Sequence, residues 1–414
     1  METSLIIIII GLFIFFGHYL SGLFGRKGVP DVLGLMLIGL LIGPVSKLVS
    51  PEIFGQFGSL FSNLVLIFIL FESGTELRIA SLKESFKDSA AITTIGFLST
   101  TLVVFLMCFL ILDISLLSSL FIGSTLGGTS AAVVVGLVKQ IAITSKTATT
   151  LIVESAESDV FTLAVPISIL GLMMTGQIDT KMLFSQFITS LVMAVLLGVM
   201  GAFSWSYIIN KIQSLKSTKF STPAFLFIVY GLSEYLGFSG PLTALTFGIA
   251  IGNLEYFEPK LLSRIIPNQS IVLPDEEKDF FSQIVFLLRT FFFIFIGINI
   301  RIDRLDWLMW GAIITICLFL VRLVIVKLMF TSQTPVEDRA IISMMIPKGL
   351  GAAVIATLPL QNQHPDGIVI QAICFSVILF STMICVILFY LLRIGISLPF
   401  YQKIYPGSEI LKRA

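Results

Sequence analysis

Apolar stretches of about 20 residues recur along almost the whole chain, each closed by a short polar, Gly or Pro break. That is the length a helix needs to cross a hydrocarbon core of about 30 Å. In lipid, backbone groups must bond within a helix or a closed barrel. The sequence carries no alternating pattern of ~10-residue strands, so the stretches predict helices. Hydropathy and breaks together place about 13 spans, at 4–23, 30–48, 58–78, 89–112, 117–139, 147–175, 182–210, 221–237, 239–256, 280–299, 307–330, 338–359 and 367–394. The expected fold is an all-α polytopic membrane protein. The Ile-rich first run lacks a basic start and a small-residue cleavage site, so it reads as a retained span. The longest polar connection, about Tyr256–Asp279, is too short for a separate domain. Residues 1–414 therefore read as one transmembrane unit with a short cytoplasmic tail, 395–414, and no fused cytosolic domain.

Composition sharpens this picture. The chain is 56% hydrophobic and 12% charged, with a mean hydropathy of +1.01, too apolar to coat a soluble domain. A net charge of +1 gives no electrostatic case for nucleic acid. Lys and Arg in the loops set orientation. With the N-terminus outside, 18 of them fall inside and 4 outside (Lys47, Lys181, Arg301 and Arg304), which also puts the C-terminus inside the cytoplasmic membrane. Cys108, Cys317, Cys374 and Cys385 lie in apolar stretches and read as small buried residues, not as disulfides or metal ligands. No cofactor is expected.

Three pairs of segments recur in the same order. Gly39-x-x-x-Gly43 answers Gly248-x-x-x-Gly252, Gly74-Thr-Glu-Leu-Arg-Ile79 answers Gly297-Ile-Asn-Ile-Arg-Ile302, and Gly128-Thr-Ser-Ala-Ala-Val-Val134 answers Gly349-Leu-Gly-Ala-Ala-Val-Ile355. Each pair is seven spans apart, an odd number, so the second copy should be inverted. This predicts two inverted six-helix repeats, 4–175 and 221–394, joined by a linker helix at 182–210. Gly and Ala also recur in any membrane helix through close packing, but three pairs in register are less easily accidental.

Charges within a bilayer are expensive and mark pathways. The intramembrane acids are Glu72, Glu154, Glu157, Asp159 and Glu234, and three of them fall in Glu154-Ser-Ala-Glu-Ser-Asp159. Ser155 and Asp159 share one helix face, a turn apart. Asp159 lies about 20 Å from the inner end of its span at 1.5 Å per residue, too deep for an interfacial acid. With nearby hydroxyls it could hold a partly dehydrated monovalent cation. Glu157 reads as an accessory acid solvated in a cavity, and Glu72 and Glu234 as either pathway or structural groups. Gly123-Ser-Thr-Leu-Gly-Gly-Thr-Ser130 weakens span 5 in its middle, and Pro347-Lys-Gly-Leu-Gly351 does the same in span 12. Matched breaks predict helices that cross at mid-membrane and frame the substrate site. Arg322, mid-span, needs an anion, and Glu154 is the best candidate. Lys327 can snorkel to the inner interface. Lys348 either pairs with an acid or sets a positive charge beside the break.

These residues resemble the monovalent cation:proton antiporter superfamily, on its sodium/proton exchanger side, over nearly the whole chain. The carrying motifs are Val29-Pro-Asp-Val-Leu-Gly34 with Gly39-Leu-Leu-Ile-Gly-Pro44, Phe71-Glu-Ser-Gly-Thr-Glu-Leu77, Arg322 in its span, Lys348-Gly349 where Arg-Gly is usual, and, most specifically, Glu154-Ser-x-x-Ser-Asp159 against Glu-Ser-x-x-Asn-Asp. The resemblance implies that Asp159 is the shared cation and proton carboxylate, with oxygens from Ser155 and Thr129. It also implies a structural pair of Glu154 with Arg322, and a homodimer whose six-helix core (spans 4–6 and 11–13) moves against a scaffold. Ser130 stands where many members have Asp, and Ser158 where Asn is usual. Fewer acidic oxygens leave Na⁺ and K⁺ both open, and Ser158 argues against the two-aspartate electrogenic branch. The reading is a secondary antiporter, not an enzyme. It exchanges Na⁺ or K⁺ for H⁺, is surrounded by lipid, and leaves room for a separate cytosolic regulatory subunit. A proton-uncoupled cation channel and an organic-anion symporter on a similar scaffold are the other classes.

Overall fold

The computed structural model describes residues 11–19, 22, 31–49, 55–76, 79–138, 143–175, 180–212, 220–254, 275–330 and 334–406. The Val29-Pro30 motif, the connection 255–274 and several basic loop residues (Arg26, Lys27, Arg78, Lys139, Lys216, Lys219, Lys260, Arg264, Lys412 and Arg413) lie outside the described residues.

Every regular element among the described residues is helical. In chain order they are α1 (11–19), α2 (Asp31–Leu40, extended by a π turn Leu41–Val45), α3 (Gly55–Glu76), α4 (Ile79–Leu110), α5 (Leu116–Thr125), α6 (Ala131–Val138), α7 (Ser145–Thr175) and α8 (Thr180–Lys211). There follow α9 (Ser221–Tyr235), α10 (Gly240–Gly252), α11 (Asp275–Ile298), α12 (Leu305–Met329), α13 (Val336–Met344), α14 (Leu350–Gln361), α15 (Gly367–Arg393) and α16 (Leu398–Ile404). Among the described residues, six stretches are long and apolar enough to cross a membrane: Ser89–Leu110, Ser145–Met174, Val192–Ile209, Asp279–Ile298, Leu305–Met329 and Gly367–Arg393. Shorter apolar helices, α5, α10 and α14 among them, accompany these.

Two expected spans are not continuous helices. Span 5 is split into α5 and α6 by residues 126–130, and span 12 into α13 and α14 by 345–349. The breaks sit where Gly127-Gly128 and Pro347 remove helix propensity and a backbone donor.

The chain divides into two compact units, one of residues 1–56, 85–174 and 290–414, the other of 57–84 and 175–289. In the first, α2 packs backbone to backbone on the end of α11. A Cβ on Gly39 would fall 2.1 Å from the Ile294 carbonyl, and one on Gly297 2.1 Å from the Met36 carbonyl. In the second, α3 packs on α10 in the same manner, with Gly74 against the Leu245 carbonyl and Gly248 against the Phe71 carbonyl. Small residues that let backbones touch are the usual glue of helices in lipid, where apolar burial drives little. An aromatic core fills the second unit. Phe71 lies 5.5 Å from Phe247 and 4.8 Å from Phe281, and Trp205 stacks on Phe225 while its indole N–H donates to Thr222. Glu234 accepts from the Gly240 N–H at 2.7 Å, setting a carboxylate at the N-terminus of α10.

In the first unit, two polar contacts tie the starts of the broken helices to neighbouring segments. Asp366, before α15, accepts from Ser115 (3.0 Å) and Ser118 (2.7 Å) at the start of α5. Asp338, in the first turn of α13, accepts from the Thr144 hydroxyl and N–H just before α7. Two of the four arginines and lysines counted outside, Arg301 and Arg304, form bidentate pairs with Asp303 and Asp306. The Arg301 guanidinium holds the Asp303 carboxyl below its ordinary range.

Because the obstacle at Gly39 is a carbonyl and not a mobile side chain, Gly39→Ala should lower the thermal midpoint of the solubilised protein, the usual overpacking cost being about 1–3 kcal/mol. Gly231→Ala, with nothing within 4 Å of its added Cβ, should not.

Candidate functional site

The two breaks meet. The Ser130 N–H donates to the Pro347 carbonyl at 2.8 Å, joining the extended segments of the two broken helices directly. Lys348, 1% exposed, sends its ammonium to the Gly128 carbonyl at 2.9 Å, and its own N–H donates to Ser381 on α15 at 3.1 Å. On the other side, the Thr129 N–H donates to the Ser158 hydroxyl (3.0 Å), and the two hydroxyls lie 3.1 Å apart. Ser158 also donates to the Ser155 carbonyl at 3.0 Å. Glycine is needed here for room. A Cβ on Gly128 would fall 2.1 Å from the Thr162 hydroxyl and 2.8 Å from the Ser158 carbonyl, and one on Gly349 would meet Ser130 at 2.7 Å.

Beside the crossing lies a fully buried ion pair. Arg322 on α12 engages Glu154 on α7 through two contacts of 2.7 Å, with the side chains 3% and 4% exposed. The third face of the guanidinium is also used, since Nε–H donates to the Ile342 carbonyl at 3.1 Å. A planar fork that satisfies two carboxylate oxygens and one carbonyl is the geometry in which a buried arginine is tolerated. Gly96 admits it, as a Cβ there would lie 3.2 Å from a guanidinium nitrogen. A narrow cleft of ≈ 10 Å³ lies between these groups, lined by Thr93, Gly127, Thr129, Glu154, Ser158, Arg322, Ile346 and Lys348 among others.

The expected site residues divide into three groups. Thr129, Ser158, Glu154, Arg322 and Lys348 line the cleft. Ser130 lends its backbone to the crossing, and the Ser155 hydroxyl donates within its own helix to Ile152 at 2.8 Å. Asp159 follows Ser158 on α7 and is half-buried. Glu157 faces α4, where its carboxylate accepts from Thr93 (2.8 Å) and Ser89 (3.4 Å). Because Thr93 also lines the cleft, Glu157 stands one hydroxyl away from it. Glu72 belongs to the other compact unit and accepts from Ser282 at 3.2 Å. Sequence reasoning did not single out Thr93 or Ser381. Both are single hydroxyls in apolar runs, a signal too common to stand out. The buried hydroxyls of Thr101, Thr125 and Thr162, around the end of α5, have no protein partner. Buried polar oxygens of this kind call for water or an ion.

A buried guanidinium–carboxylate fork stands beside two helix breaks that meet, among helices long and apolar enough to cross a membrane. The chain belongs to the sodium/hydrogen exchanger family, whose transmembrane description matches residues 10–401. It is similar to the K(+)/H(+) antiporter NhaP2 of Shewanella baltica, with 27% identity over 56% of this chain and 41% of that protein. It is also similar to the K(+)/H(+) antiporter NhaP of Alkalimonas amylolytica, with 23% identity over 91% of this chain and 64% of that one. The chain thus spans about two fifths of the length of the first of these relatives and under two thirds of the second. The structure of the sodium proton antiporter MjNhaP1 from Methanocaldococcus jannaschii shares the fold, with a TM-score of 0.75 at 22% identity, over 92% of this chain and 99% of that one.

Removing one member of the Glu154–Arg322 pair leaves an uncompensated buried charge, at a cost of about 3–5 kcal/mol. Glu154→Ala and Arg322→Ala should each lower the thermal midpoint strongly. The double variant should lie well above the sum of the two losses, a coupling that a double-mutant cycle on the solubilised protein measures.

Proposed function

We propose that the protein is a secondary active antiporter that exchanges Na⁺ or K⁺ for H⁺ across the cytoplasmic membrane, with Asp159 as the carboxylate that cation and proton occupy in turn. The observation that carries this reading is the bidentate engagement of Glu154 by Arg322. It commits one carboxylate of α7 to structure, and Asp159, half-buried on the same helix, is the carboxylate we assign to exchange. Membership of the sodium/hydrogen exchanger family and the antiporters named among its relatives support it.

Charge counting supplies the coupling. Counted with all groups ionised, Glu154, Glu157 and Asp159 of α7 against Arg322 and Lys348 give this set one net negative charge. One monovalent cation or one proton neutralises it. A neutral core crosses the low-dielectric barrier readily, and the empty, charged one does not, because the cost of burying an uncompensated charge is large. Alternation between the two occupied forms gives one-for-one, electroneutral exchange.

The architecture we infer is two inverted repeats within 13 spans, with the N-terminus outside and a homodimeric scaffold. Two matched sets of contacts favour the repeats. Gly39 and Gly43 meet the Gly297 end of α11, while Gly248 and Gly252 meet the Gly74 end of α3. Asp366 ties the start of one broken helix, and Asp338 anchors the other. Each contact in one half has its counterpart in the other, with the partners exchanged.

In proteoliposomes carrying a pH gradient, added Na⁺ or K⁺ should dissipate the gradient, and Asp159→Asn should abolish the response. A valinomycin-set potential should leave the rate unchanged. Exchange at the normal rate by Asp159→Asn would refute the assignment, and cation flux without proton movement would identify a channel.

A further inference from the structure

We propose that Tyr405 is a positioning residue for the exchange site, acting through the broken helix α13. The inference rests on the antiport reading and gives the segment after α15 a part in it. That segment turns at Gly395, in the left-handed region at φ +81°, and folds α16 back onto the bundle. Tyr401 and Tyr405 are 2% and 1% exposed, and their rings stack with centroids 6.3 Å apart.

The Tyr405 hydroxyl sits at a junction of two helices. It is hydrogen-bonded to the Ser343 hydroxyl on α13 and lies 3.4 Å from the Leu323 carbonyl on α12, to which it can donate. One residue earlier on each helix, Arg322 Nε–H donates to the Ile342 carbonyl at 3.1 Å. The seam between α12 and α13 therefore has two adjacent stitches, one made by the arginine of the buried ion pair and the other by Tyr405. The Arg339 guanidinium lies 5.4 Å above the Tyr405 ring and donates to the Phe330 carbonyl at 2.7 Å, which closes the junction from the other side.

The seam matters because α13 has only nine residues. A helix of that length is marginal on its own and depends on tertiary ties for its position. Two residues beyond Ser343 the chain leaves the helix and enters the break at 345–349, which carries the Pro347 carbonyl that receives Ser130 N–H and the Lys348 ammonium that holds Gly128. Freeing the end of α13 loosens both contacts at once. Small misplacements of a positioning group are felt strongly at the bound ion.

The test measures cation-dependent dissipation of a pH gradient in proteoliposomes for Tyr405→Phe, Ser343→Ala, Ser343→Thr and the Phe/Ala double variant. Losing one hydrogen bond should raise the apparent KM for the cation about fivefold in Tyr405→Phe and in Ser343→Ala, with kcat nearly unchanged. The double variant should be no worse than either single one, and Ser343→Thr, which keeps the hydroxyl, should match the wild type. A Tyr405→Phe protein with wild-type KM, additive effects in the double variant, or a fall in kcat at constant KM would overturn the inference. A wild-type protein that moves no protons in response to cations would overturn the antiport reading, and the inference with it.

Discussion

A helix interrupted inside a bilayer exposes N–H and C=O groups that lipid cannot satisfy, and each bare group costs several kcal/mol. The protein meets this constraint by making the two interruptions complete each other. Ser130 N–H finds the Pro347 carbonyl, and the Lys348 ammonium finds the Gly128 carbonyl. Two further donors go to unbroken neighbours, Thr129 N–H to Ser158 and Lys348 N–H to Ser381. Neither break is stable without the other, so the elements that frame the cleft form as a set.

Electrostatics follow from the same shortage of water. Arg322 is accommodated because all its donor faces are used, two on Glu154 and one on Ile342. Lys348 is held by a carbonyl at the end of α5, where backbone carbonyls gather partial negative charge. Asp159 and Glu157 are the other two acids of the same helix, and Glu157 accepts from Thr93 and Ser89. Unpartnered hydroxyls at Thr101, Thr125 and Thr162 add polarity around the break. In the exchange we propose, an ion trades water for fixed oxygens and a proton takes its place.

Much of this arrangement was legible in the residues themselves. Gly127-Gly128 and Pro347 mark the interruptions because they weaken helices wherever they fall, and a mid-span Arg322 announces a buried anion. The glycines at 39, 74, 248 and 297 signalled close packing, but their partners depend on tertiary contacts that spacing alone does not encode. Glu234 reads as either a pathway or a structural acid, and the hydrogen bond it accepts from Gly240, six residues away across a turn, is not visible in the sequence. Tyr405 gave no signal, because an aromatic in a polar tail is ordinary until the tail folds back on α13.

The proposed exchange requires that cation and proton compete for one carboxylate. It is tested most directly by titrating the solubilised protein with Na⁺ or K⁺ in buffers of different ionisation enthalpy, which counts the protons released per ion bound. Proton release should approach one per cation where the pH lies well below the site's apparent pKa and be about half a proton where the two are equal, with both binding and release lost in Asp159→Asn. Cation binding without proton release, or release that persists when Asp159 is neutralised, would contradict it.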